Sequence, residues 1–149
     1  MRIPLILSAL CLTLAFLFPI SLSHDARAHA GATGIVKERM DAFSQARQQM
    51  KEIGGALRAN NNEMVAELSA KMLPWAETMG DYFPEGTDGA PSEASAAIWS
   101  DPDGFAEKIA AYSQALINLN EIALANGDTK TAFGAVSASC KSCHRAYRN

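Results

Sequence analysis

The chain has 149 residues, 48% of them hydrophobic, with a formal charge of −3 and three cysteines. That length suits one domain with its own core, and an acidic chain without basic clusters is excluded as a nucleic-acid binder. Val, Ile, Thr and aromatic residues are sparse beside Ala, Leu, Met, Gln, Glu and Lys, so summed propensity predicts an all-α domain.

The first element is a targeting segment. Arg2 precedes an apolar run from Ile3 to Leu22, which is followed by small-residue sites at Ala26-Arg27-Ala28 and Ala28-His29-Ala30. This is the pattern of a secretory signal peptide over residues 1–30, cleaved near Ala28 or Ala30. The run approaches spanning length, but Pro4, Pro19 and the cleavage sites favour removal over a retained anchor. Leu10 before Cys11 argues against a lipidated N-terminus. Cleavage would remove Arg2, Arg27, Asp25 and Cys11, moving the formal charge from −3 to −4 and leaving two cysteines. The mature domain, residues 31–149, is expected to be periplasmic with no membrane segment.

From Thr33 to about Leu57, Val36, Phe43, Met50 and Leu57 recur every seven residues, and Met40, Ala46 and Ile53 fill the same face. This predicts an amphipathic helix with a bundle-type seam. Arg58-Ala59-Asn60-Asn61-Asn62 reads as a polar turn. A second helix follows with Met64, Val65, Leu68, Met72, Leu73 and Trp75, and Pro74 is expected to kink it or to start a new turn. Asp81 to Gly104 carries Pro84, Gly86, Gly89, Pro91, Pro102 and Gly104 and reads as a long crossover with Ile98-Trp99 as its apolar anchor. The third helix is predicted from about Phe105 to Ala125, stopped by Asn126-Gly127-Asp128. The fourth begins near Thr129, with Phe133, Val136, Cys140, Cys143 and Tyr147 on one face. The architecture expected is an antiparallel four-helix bundle with a cofactor inside it.

That last helix contains Cys140-Lys141-Ser142-Cys143-His144. C-x-x-C-H is a haem c attachment pattern: two thiols a turn apart reach the two vinyl groups of one porphyrin, and the adjacent imidazole comes under the iron. One covalent haem c on Cys140 and Cys143, with His144 as the axial iron ligand, is therefore expected. A thioredoxin-like dithiol wants a βαβ context, and a zinc site wants a second Cys or His pair; the mature sequence has neither. A second axial His is nearly excluded, since cleavage leaves at most His29, so Met is the only candidate sixth ligand.

The C-x-x-C-H near the C-terminus, Val36-Lys37-Glu38-Arg39 in the first helix, Phe83-Pro84-Glu85-Gly86-Thr87 and Ile98-Trp99 together resemble the cytochrome c′ family, the class II c-type cytochromes. The resemblance spans essentially the whole mature chain. It implies a left-handed four-helix bundle, often a homodimer through the first two helices, with a shielded distal pocket that binds nitric oxide and carbon monoxide. It also implies that Arg39 lies near a haem propionate, that Phe43 faces the iron from the distal side, and that Arg148, a turn beyond His144, approaches the proximal imidazole. Low-spin members have Met where Phe43 stands, so Phe43 implies pentacoordinate, high-spin iron.

Two readings from different classes remain open. The first is a gas-binding cytochrome that is not an enzyme, with redox partner proteins for slow electron exchange. The second is a six-coordinate electron carrier with Met40 or Met50 on the iron, Met40 reaching it if the first helix is rotated. A peroxidase is disfavoured because no distal His or matched acid–base pair is present in the first helix.

Overall fold

The computed structural model describes residues 31–149, and the expected signal segment lies outside them. Four long helices and one short one follow in order: α1 (Gly34–Arg58), α2 (Asn62–Thr78), α3 (Ala97–Ser100), α4 (Pro102–Leu124) and α5 (Thr129–Tyr147). Among the described residues there is no β-strand, and the single β-bridge joins Ala94 to Arg148. No helix of the described residues is long and apolar enough to cross a membrane.

The helix order is set by short polar turns. Asn60 and Asn126 take left-handed backbone, φ 53° and 54°, where Asn is better tolerated than most residues. The asparagine run after α1 divides its work. Asn60 makes the turn, Asn61 accepts from the Met64 N–H at 3.0 Å as N-cap, and Asn62 accepts from Thr129 Oγ1 at 3.1 Å. Asp128 caps α5 in the same way, accepting from the Thr131 N–H at 3.0 Å. Asn62 at the start of α2 also reaches Asn126 beyond the end of α4, whereas Gly80 after α2 lies against Ile109 early in α4. These two helices are therefore antiparallel, and the tight turns make the α1–α2 and α4–α5 pairs antiparallel as well.

Pro74 lies inside α2, which runs on to Thr78 and then tightens into a 3₁₀ turn at Met79–Tyr82. One boundary differs from the sequence expectation. The crossover is shorter than Asp81–Gly104, because it contains α3 and because α4 starts at Pro102 rather than Phe105. Pro and Gly act here as helix starters: Pro102 occupies the first turn, where its missing N–H costs nothing, and Asp101 accepts from the Gly104 N–H at 3.2 Å. Ile98 is buried, as an anchor should be.

The core runs along the bundle through Ile53, Val65, Met72, Leu116, Leu119 and Val136, each at most 1% exposed. The sevenfold residues Phe43, Met50 and Leu57 of α1 lie half-buried against it. One polar pair is built in: Ser69 Oγ donates to Val65 O at 2.8 Å, and Asn120 Nδ2 donates to Ala66 O at 2.7 Å, tying α4 to α2. A second cluster, Ala94, Ile98, Phe105 and Tyr147, joins the crossover to the end of α5. Leu116 has no exposed surface, so Leu116→Ala is expected to lower stability by about 2–5 kcal/mol, measured by denaturant unfolding of the haem-loaded protein.

Candidate haem site

α1 and α5 make little backbone contact with each other, whereas α2–α4 and α4–α5 pack closely. Across the α1–α5 seam the Phe43 and His144 rings face each other at 6.4 Å, inclined at 67°. Phe43 also stands edge-on to Trp75 at 5.2 Å and to Phe83 at 6.3 Å, and Trp75 to Tyr82 at 5.1 Å. This lining is aromatic and apolar, contributed by α1, α2 and the start of the crossover.

On the opposite side, Cys140 and Cys143 are free, half-buried thiols. The helical repeat sets them a turn apart. Cys140 packs against the main core and Cys143 against the second cluster. Burial raises both thiol pKa values, so both sulfurs are protonated near neutral pH. His144 keeps solvent contact. Desolvation nevertheless pushes its imidazole down, Arg148 adds to the shift and Glu93 opposes it. A neutral imidazole is the form that binds metal.

Arg39 is buried, 3% exposed, although it is charged. Its guanidinium donates to Tyr82 O at 3.0 Å, to Thr87 Oγ1 at 2.8 Å, to Thr87 O, and to Ser92 Oγ at 2.6 Å. It also lies 4.6 Å over the Phe83 ring. Desolvation pulls its pKa down and Asp88 partly restores it. Arg39 thus pins the crossover to α1, one turn before Phe43, so the two share one face of the helix. Arg148 forms an ion pair with Glu93, Nε donating to Oε2 at 2.7 Å. The expected residues Arg39, Phe43, Cys140, Cys143, His144 and Arg148 are therefore gathered around one seam, with the two arginines held by neighbouring crossover residues, Ser92 and Glu93.

The sequence reading missed Thr87, Ser92 and Glu93 as acceptors, and Asp101 as the partner of Tyr147. The one legible signal was Asp101-Pro102, a helix-start pair. Tyr147 Oη donates to Asp101 Oδ2 at 2.6 Å, and this bond, with burial second, raises the phenol to about 12. The value in the unfolded chain is about 10, so the folded state favours the neutral phenol. Its stabilisation is complete below about pH 10 and is lost as pH rises through about 12. Tyr147→Phe is expected to flatten alkaline unfolding over that window, read as the denaturant midpoint against pH. Tyr112 is raised as well, by burial first, so some alkaline pH dependence is expected to persist in Tyr147→Phe.

The sequence model of the family described as Cytochrome C' matches residues 34–148. The chain is 31% identical over 126 residues to a cytochrome c' of Rhodospirillum rubrum, covering 80% of this chain and 84% of that one. The chain belongs to the cytochrome c′ family. It is also 43% identical over 91 residues to a cytochrome c' of Alcaligenes xylosoxydans xylosoxydans, covering 59% of this chain and 64% of that relative, under two thirds of its length. Among solved structures, a leucine-to-valine variant of cytochrome c prime from Alcaligenes xylosoxidans, a nitric oxide complex, superposes with a TM-score of 0.70 at 27% identity. That match covers 77% of this chain and 94% of the other.

The cofactor of a cytochrome c′ is haem c, carried here by Cys140 and Cys143. The residues present fit it. The thiols are unpaired and a turn apart, an imidazole follows at once, and the facing wall is aromatic. That wall also holds a buried polar atom with no protein acceptor among the described residues, Trp75 Nε1. Leaving such a donor unsatisfied costs about 1–3 kcal/mol, a cost that a cofactor bearing acceptor oxygens would remove.

Proposed function

We propose that this is an exported, periplasmic cytochrome c′ that binds nitric oxide and carbon monoxide at an open distal position, with His144 as the sole protein ligand of the iron. One observation carries the reading: the α1 ring facing His144 is that of Phe43, a side chain with no lone pair to give a metal. Haem c supplies the redox-active iron that takes the gas. His144 holds it from α5, while Phe43, Trp75 and Phe83 keep the opposite face apolar and exclude water. Arg39 fixes the crossover over this wall and Arg148 adds positive charge beside the imidazole. The bound nitric oxide of the Alcaligenes variant supports the same ligand class here. Electron exchange with a redox partner protein is a secondary role, and the domain acts by binding rather than by catalysis. A homodimer through α1 and α2 is part of the proposal, and Met64 of α2 is an exposed large apolar residue, 45% exposed.

Met ligation is the competing reading, and Met50 is poorly placed for it. Seven residues beyond Phe43, it lies about 10 Å further along α1 and packs against the main core. Met40 is the stronger rival. The test is the optical spectrum of the protein matured in a periplasm, oxidised and reduced, with and without nitric oxide. High-spin bands that move on adding the gas are expected. Low-spin bands with a Met-to-iron charge-transfer feature, indifferent to the gas, would overturn the proposal.

A further inference from the structure

Trp75 carries a buried polar atom with no use inside the protein. Its ring is wedged between Phe43 and Tyr82, at 5.2 and 5.1 Å, yet its Nε1 has no hydrogen-bond acceptor. Among the described residues no other buried side-chain nitrogen or oxygen is left in this condition. Tryptophan ordinarily finds a partner for its N–H when buried, and the chain's second tryptophan obeys that rule, Trp99 Nε1 donating to Phe83 O at 3.0 Å. The neighbouring cation does not compete for the same acceptor. Four of the five N–H donors of a guanidinium are committed in Arg39 to Tyr82, Thr87 and Ser92 of the crossover. The wall around Phe43 therefore offers an indole N–H, and a haem held at Cys140 and Cys143 would bring two propionate carboxylates.

We propose that Trp75 Nε1 donates a hydrogen bond to a propionate oxygen of the haem, making this indole the anchor of that edge while Arg39 is spent on holding the crossover. A carboxylate is the better acceptor because a bond to an ionised oxygen is stronger than one to a neutral group. The assignment rests on haem c at Cys140 and Cys143 and not on the coordination state of the iron.

The test reads the bond from both ends in the haem-loaded protein. Ultraviolet resonance Raman follows the indole mode that reports hydrogen bonding at Nε1, with two tryptophans to separate. Soret-excited resonance Raman follows the propionate bending mode. A hydrogen-bonded indole signal that disappears in Trp75→Phe, together with a shifted propionate bend in that variant, is expected. An unbonded Trp75 indole in the loaded protein overturns the proposal. So does a propionate bend that Trp75→Phe leaves unmoved, or an indole mode that changes only when nitric oxide is added, since the acceptor would then be the gas. If Trp75→Phe fails to mature, Trp99→Phe leaves Trp75 as the sole indole and its mode is read directly. Haem staining of the same sample on a denaturing gel keeps failure of attachment distinct from failure of this bond.

Discussion

Replacing both Cys140 and Cys143 by alanine is expected to abolish covalent haem, so that the denatured polypeptide carries no haem stain. Each single replacement should leave one thioether and shift the pyridine haemochrome spectrum to longer wavelength, because one vinyl group then stays conjugated with the ring. The reasoning is geometric. Both sulfurs project from one stretch of α5, unpaired and half-buried, and each packs against a different apolar cluster. The two attachment points are thereby held apart and on one side of the helix. Stability should fall when attachment is lost, since a tethered haem stays with the chain at any dilution and buries its apolar surface against the aromatic wall only in the folded state. The checks are haem stain, haemochrome position and thermal midpoint on the same preparations. Full covalent loading of the double variant would mean that these sulfurs are not the attachment points.

What was legible in the chain follows the range of the interactions concerned. Cys140, Cys143 and His144 are contiguous, so their chemistry is written in one line of sequence, and the seam of α1 repeats often enough for Phe43 to be placed on it. The grip of Arg39 on Thr87 and Ser92 spans 48 and 53 positions, and that of Arg148 on Glu93 spans 55. No local pattern encodes such pairs; only the path of the crossover brings them together. The start of α4 shows a different limit. Pro102 and Gly104 are breakers by composition, and they read as loop until it is known that Asp101 accepts from the Gly104 N–H and also takes the Tyr147 hydroxyl. One carboxylate there begins a helix and pins the residue three places after His144, so the haem helix is tied down from a segment that the sequence marks as irregular. Trp75 was visible as an apolar residue, but its unsatisfied N–H emerges only from the absence of any neighbouring acceptor.

In the proposed reading Phe43 decides between the two modes of iron chemistry, and two replacements there should push the protein in opposite directions. Phe43→Ala removes the ring that stands 6.4 Å from His144 and 5.2 Å from Trp75. If that ring is the obstacle to an incoming gas, carbon monoxide association measured by flash photolysis should accelerate by about tenfold or more, equivalent to lowering the barrier by about 1.4 kcal/mol. An unchanged rate would place the obstacle elsewhere. Phe43→Met puts a thioether where the ring stood. The expected product is six-coordinate and low-spin in both oxidation states, with a raised reduction potential, as Met/His ligation gives, and with little response to added gas. Met40→Leu is the control, because Met40 lies three residues earlier on α1, outside the apolar cluster that holds Phe43. It should leave the spectrum untouched. A low-spin parent protein that becomes high-spin in Met40→Leu would instead assign the sixth position to Met40. The outcome turns on which α1 side chain faces His144, and a single turn of helix separates an open iron site from an electron carrier.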